Sequence, residues 1–268
     1  MNIDSRLDAY TCLNSEKKFI KTFSFCTLVT RPDEYLEMVE SAKAAGFSEQ
    51  LAEFFYFDNK NSNTFDAYKG INKALRHVNG EYLIFCHQDI LFHHDKCEKL
   101  QKILADLDEN QADWAIAGNA GKDENGRTHI VISEPDQPNI RQGKIPNEVM
   151  SLDENFLIIN RKHNIACTTI FHGFHLYGLD LCENARRLGL KAYVIDFLLL
   201  HKSSGKVDNS YRVLQKQYIS WWSQNCKSRF LWAMCSNFFI SSSPFLRYMG
   251  NQKKILNLIK SLRKKVYK

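Results

Sequence analysis

The chain has 268 residues, 44% of them apolar and 25% charged, with 12 glycines and 5 prolines. That composition excludes collagen-like, low-complexity and disordered chains and suits one globular domain with an appendage, whose core at this length needs no disulfides. The net charge of +6 sits at the end: eight basic and no acidic residues follow from Arg247 onward, leaving 28 basic against 30 acidic, a net −2, in residues 1–246, so a nucleic-acid partner is excluded.

Residues 23–29 predict a buried strand, and Pro32, Asp33 and Glu34 open a helix with apolar Leu36, Val39 and Ala42 that stops at Gly46. A second strand, Phe54 to Phe57, is followed by a helix carrying Phe65, Tyr68, Ile71, Leu75 and Val78 on one stripe. The third strand, Tyr82 to Cys86, is apolar throughout, as a strand covered on both faces should be. Three strand–helix alternations predict an α/β fold with a mostly parallel, right-handed sheet. A helix near 93–108, strands at 114–117 and 129–132, a glycine-bearing loop between them and a polar stretch over 133–151 come next. A stretch of that length reads as a functional loop. A strand at 156–160, a helix near 174–188 and an apolar strand over 192–200 close a first domain, 1–205. Residues 206–268 read as a helical, aromatic and basic extension.

Eight cysteines with no C-x-x-C pair fall mostly inside apolar runs, so they are expected to be reduced and buried in a cytoplasmic protein. The first twenty residues hold no apolar core for a secretory leader, and nowhere do about 18 apolar residues run unbroken. Secretion and membrane spanning are therefore not expected. In the tail, Ile255, Leu258, Ile259 and Leu262 recur at helical spacing among lysines and arginines. Such a basic amphipathic helix suits an anionic membrane surface, and equally suits packing on the domain or on a second copy as an oligomer.

In open α/β sheets ligands gather beyond the carboxyl ends of the strands. There the sequence places Thr30-Arg31, Asp58, His87-Gln88-Asp89 and His201. His87 and Asp89, two residues apart, leave the third strand on the same side, a pair that suits manganese or magnesium gripping a phosphate; capping and packing are the alternative roles. His93, His94 and Cys97 do not share a direction that would suit zinc. Asn72, beside Arg76, lies by the core stripe of the second helix, and binds a loop backbone or shapes a nucleotide pocket. Between Phe171 and Glu183, His172, His175, Tyr177 and Asp180 lead into a helix. There Asp180 is either a general base or a first-turn carboxylate favoured by the helix dipole.

The run from Phe25 to Asp89, the turn at Trp114–Gly121, and Phe174-His-Leu-Tyr-Gly-Leu-Asp-Leu with His201 downstream resemble the GT-A-fold glycosyltransferases of the family 2 type, and among them bacterial enzymes of capsule and surface-polysaccharide assembly. The resemblance covers about residues 23–205. It implies an inverting transfer from a nucleotide-sugar, UDP-sugar first, to a glycan or lipid-linked acceptor at the cytoplasmic face of the inner membrane. Thr30, Arg31, Asp58, Asn72, Arg76 and Gln88 would then hold the nucleotide, and Asp89, His87 and His201 a divalent metal, Mn²⁺ or Mg²⁺. Asp180 would be the base, while Asp153, Glu154, His172, His175 and Tyr177 would contact donor or acceptor sugar. The sequence departs from the family's D-x-D element in having His87 where the first aspartate stands. A nucleotidyltransferase is disfavoured because no glycine-rich phosphate loop follows the first strand, and a non-catalytic binding protein on the same fold remains the rival.

Overall fold

The structure, a computed structural model that describes residues 18–203 and 208–266, opens with strand β1 (Lys21–Val29), helix α1 (Pro32–Ala44), strand β2 (Ala52–Asp58), helix α2 (Ala67–His77) and strand β3 (Gly80–Cys86). Pro32 starts α1 because the first turn needs no amide donor there. Asp66 caps α2 by accepting from the Lys69 amide at 3.0 Å. After β4 (Ile90–Leu91) and α3 (Cys97–Asn110) come β5 (Trp114–Gly118), β6 (Ala120–Lys122), β7 (Thr128–Ile132), β8 (Ile140–Gln142), β9 (Asn147–Val149), β10 (Ser151–Leu152) and β11 (Phe156–Asn160). Helix α4 (Tyr177–Arg187), β12 (Lys191–Val194) and β13 (Leu200–His201) follow, then α5 (Asn209–Asn225), β14 (Arg229–Trp232), β15 (Asn237–Ile240), α6 (Pro244–Gly250) and α7 (Lys253–Val266).

The main sheet has seven strands in the order β2-β1-β3-β11-β5-β12-β9. β1, β2, β3, β5 and β12 run parallel, while β11 and β9 run against them. Successive side chains of a strand face opposite sides, and the two hydrophobic cores divide accordingly. Tyr82, Ile84 and Cys86 join Phe25, Met38, Leu100 and Phe197 on the side of α1 and α3. Leu83 and Phe85 join Ile71, Leu179, Tyr218 and Trp222 on the side of α2, α4 and α5. The architecture is the mostly parallel, helix-flanked α/β sheet expected from the alternation of strands and helices.

Several local expectations change. The buried stripe of α1 is Tyr35, Met38 and Ala42, while Leu36 faces solvent, because the strands beneath, not apolarity alone, choose the face. Helix α3 begins at Cys97, leaving His93 and His94 in the bend before it. Gly121 lies inside β6, and the polar stretch 133–151 contains β8 and β9 and begins β10. The run 192–200 is apolar because Ile195, Phe197 and Leu199 cross the core, yet it is not one strand: β12 ends at Val194. The helical extension also holds the β14/β15 hairpin, whose Phe238 ring lies 5.9 Å from Tyr218.

Ile158, fully buried in β11 between β3 and β5, gives a direct check on this core. Ile158→Ala should cost about 2–5 kcal/mol, read as a lowered urea midpoint with unchanged slope.

Candidate active site

At the carboxyl end of the parallel strands, Gln88 fastens two of them together. Its Oε1 accepts from the backbone N–H of Thr30 at 2.9 Å and of Arg31 at 3.0 Å, and its Nε2 donates to Thr30 Oγ1 at 3.1 Å. The His87 amide donates to Asn155 O at 2.9 Å, tying β3 to the segment before β11. Between these ties opens a cavity of about 240 Å³ lined by Thr30, Arg31, Asn59, His87, Asp89 and Tyr177, among others. A larger one, about 680 Å³ and lined by Lys122, Arg127 and His129, lies apart from these groups. Chemistry rather than size selects the smaller.

The two-strand pair β4/β13 sets His201 opposite Ile90, next to Asp89. His201 Nε2 stands 3.4 Å from Asp89 Oδ1 and 3.3 Å from His87 Nδ1, and His87 Nδ1 lies 4.0 Å from Asp89 Oδ1. Asp89 Oδ2 accepts from Ser203 Oγ. Burial pushes the Asp89 carboxyl up, but the bonds from His201 and Ser203 outweigh it and hold the group well below the usual carboxylate range. Burial, and then the neighbouring His201, lower the His87 imidazole. An ionised carboxylate beside a neutral imidazole is a ligand-ready state. Two ligands on one ion with bonds of about 2.1 Å lie at most about 4.2 Å apart, and all three gaps meet that bound. The residues present therefore fit a divalent ion. Among the described residues this is the one group of three or more His, Cys, Asp or Glu side chains so gathered.

Tyr177 closes the same cavity. Leu176, just before α4, takes the left-handed conformation with φ 60°, which costs a non-glycine residue about 1–2 kcal/mol. The turn directs the Tyr177 hydroxyl to Glu154 O at 2.9 Å and to within 3.3 Å of His87 Nε2. Gly178 is required next, because a Cβ there would meet Leu152 O at 2.5 Å. Asp153 and Glu154, both partly exposed, stand beside this tyrosine. Burial and then Asp153 push the Glu154 carboxyl well up, and the field of Asp153 also reaches His87.

The structure thus gathers Thr30, Arg31, His87, Gln88, Asp89, Tyr177 and His201. Others lie elsewhere. Asp58, at the end of β2, is exposed and accepts from the Lys60 amide at 3.0 Å, while its neighbour Asn59 lines the cavity. Asn72 exchanges two hydrogen bonds with the Cys167 backbone, at 2.9 and 2.8 Å. Arg76 and His172 border a different cavity, and His175 faces Asp208 at 3.6 Å.

Asp180 changes role most. It is fully buried, and it accepts from the Thr168 amide at 2.7 Å and Thr168 Oγ1 at 2.8 Å. A carboxylate so enclosed braces the loop before α4 and offers no oxygen to an acceptor. Asp180 does lie in the first turn of α4, as the sequence placed it, but Thr168 holds it. Sequence reasoning missed Asn59 and Ser203. Asn59 had a signal, the strand-end position shared with Asp58, whereas Ser203 had none.

Residues 32–169 match the family model described as Glycosyl transferase family 2. "ATP synthase subunits region ORF 6" of Fuscovulum blasticum is 34% identical over 201 residues, covering 73% of this chain and 81% of that protein, under a name that states no activity. Among solved structures, S. aureus TarS is similar at 12% identity and TM-score 0.42, over 69% of this chain and 36% of that one. A197 from STIV is similar at 11% identity and TM-score 0.38, over 70% and 97%. Likeness at these scores carries no functional weight, and the sequence match alone sets the family.

Burial raises the Asp180 carboxyl to about 7, against the hydrogen bonds from Thr168. The folded protein therefore keeps this proton to about pH 7, whereas the unfolded chain releases it near pH 3.9. Stability should fall by about 1.4 kcal/mol per pH unit between these limits. Asp180→Asn removes that slope, as urea unfolding at pH 5 and pH 8 would show.

Proposed function

The chain belongs to glycosyl transferase family 2, and on that premise we propose that it is an inverting enzyme moving a sugar from a nucleotide-sugar, UDP-sugar first, to a glycan or lipid-linked acceptor of a bacterial surface polysaccharide or lipooligosaccharide. One observation carries the reading. The Gln88-tied cavity adjoins the His87, Asp89 and His201 cluster at the carboxyl edge of a parallel sheet, where nucleotides bind in such folds, and His87, Gln88 and Asp89 lie within the family-matched residues 32–169.

Thr30, Arg31 and Asn59 bound the nucleoside end of the cavity, and Gln88 fixes its floor by holding the Thr30 and Arg31 amides. A divalent ion held by His87, Asp89 and His201 would supply positive charge to the diphosphate as it leaves. The base is Asp153. Its Oδ2 is held by Asn155 Nδ2 at 2.5 Å, and its partial exposure beside His87 leaves it open to an acceptor as buried Asp180 is not. Asp153 takes the acceptor hydroxyl proton, and the oxygen bonds to the anomeric carbon from the face opposite the diphosphate. The carbon–oxygen bond to the phosphate breaks, and the nucleoside diphosphate departs with the electron pair.

Asp153→Asn should lower transfer about 10²–10⁴-fold, while Asp180→Asn changes it far less. Nucleotide release from UDP-, GDP-, dTDP- and CMP-sugars, with a lipid-linked glycan fraction as acceptor, measures both. No release from any donor by folded protein, with no donor binding by calorimetry, would favour the non-catalytic reading.

The reading extends to where the enzyme works. No helix among the described residues is long and apolar enough to cross a membrane. Yet Phe245 and Tyr248 of α6 and Leu258 and Leu262 of α7 are exposed, in a stretch where eight basic and no acidic residues follow from Arg247 onward. Such a surface binds anionic lipid, at the cytoplasmic face of the inner membrane on this reading. Phe245→Ser with Leu258→Ser and Leu262→Ser should abolish flotation with anionic liposomes. Flotation equal to that of the unaltered chain would remove the role.

A further inference from the structure

The Tyr177 hydroxyl has one proton to give. It gives it to Glu154 O, 2.9 Å away, because a carbonyl oxygen can only accept. Toward His87 Nε2, at 3.3 Å, the same hydroxyl can then act only as acceptor. His87 Nε2 therefore carries the ring proton, and Nδ1 presents its lone pair. That bare nitrogen is the atom facing His201 Nε2 at 3.3 Å and Asp89 Oδ1 at 4.0 Å. Tyr177 is almost fully buried, with its ring 5.8 Å from Phe85 and 6.4 Å from Tyr68, so the hydroxyl is aimed by packing.

We infer that Tyr177 is a positioning residue that sets the tautomer of His87, making the site a two-imidazole, one-carboxylate cluster that selects divalent transition ions over Mg²⁺. The inference rests on the transferase reading only for why an ion is needed, and not for which ion is chosen. Mg²⁺ wants oxygen ligands and holds its waters tightly. Imidazole nitrogen strengthens binding along the first-row series, Co²⁺ above Mn²⁺. Replacing the first carboxylate of a D-x-D element by His87 thus exchanges an oxygen for a nitrogen, and the second nitrogen, from His201, completes the change. A hydrogen bond that fixes the free edge of a ligating imidazole is worth about 10- to 100-fold in metal affinity.

The test is calorimetric titration of the chelator-treated full chain with MgCl₂, MnCl₂ and CoCl₂, with the visible spectrum of bound Co²⁺ as an activity-independent readout. Affinity should rise from Mg²⁺ through Mn²⁺ to Co²⁺. Tyr177→Phe should weaken Mn²⁺ and Co²⁺ about 10- to 100-fold, and His87→Asp should narrow the gap between Co²⁺ and Mg²⁺. Mg²⁺ binding as tightly as Co²⁺, or a folded Tyr177→Phe protein with unaltered affinities, would overturn the inference. If Tyr177→Phe does not fold, the ion order of the unaltered chain and of His87→Asp decides. No detectable binding of Mg²⁺, Mn²⁺ or Co²⁺, with sugar transfer that proceeds in chelator, removes this inference and leaves the transferase reading in place. The expected ion order without nucleotide release from any donor does the reverse.

Discussion

Two residues of backbone pairing hold the candidate site together. Leu200 and His201 lie antiparallel to Leu91 and Ile90, and this short ladder brings an imidazole from the far end of the domain to the carboxylate of Asp89. The pairing is reinforced on both sides: the His201 amide donates to Ser133 O at 2.9 Å, and the Lys202 amide to Asp89 O at 3.0 Å. Without it, His87 and Asp89 would be two polar groups at the end of a buried strand. With it they become part of a three-point cluster whose gaps one ion can span.

Around this cluster the polar groups divide by access rather than by type. Asp89 and Asp180 are both buried carboxylates, yet their environments push them in opposite directions. Asp89 is held ionised by the bonds from His201 and Ser203, which overcome burial. For Asp180 burial outweighs the Thr168 bonds, and the group rises to about 7. The first sits at a cavity wall and the second inside a loop brace. A third buried carboxylate, Glu183, pairs with Arg229 and Arg186 and so joins α4 to the hairpin. Breaking such a buried pair by removing one partner typically costs about 3–5 kcal/mol. The extension is thereby fastened to the helix whose first turn carries Tyr177. Its Tyr218, Trp222 and Phe238 belong to the same core as Leu179 and Leu181.

The sequence by itself determined the succession of strands and helices from β1 to β3. The short apolar run Tyr82 to Cys86, bounded by Gly80, reads as a strand covered on both faces, and helix periodicity with Pro, Asp and Gly punctuation places α1 and α2 between the strands. It also determined which residues stand at the strand ends, because chain order fixes that locally: Thr30, Arg31, His87, Gln88, Asp89 and His201 were all legible there. Only the tertiary structure decided which polar residues face a ligand. Asp180 and Asn72 have the right chemistry in sequence, yet burial and backbone hydrogen bonds occupy them. The insertion of β11 between β3 and β5, the breaking of the run 192–200 and the β14/β15 hairpin likewise depend on long-range pairing. A hydrophobic pattern reports that a segment is buried; it does not report what it is buried against, and that partner decides which side chains reach the site.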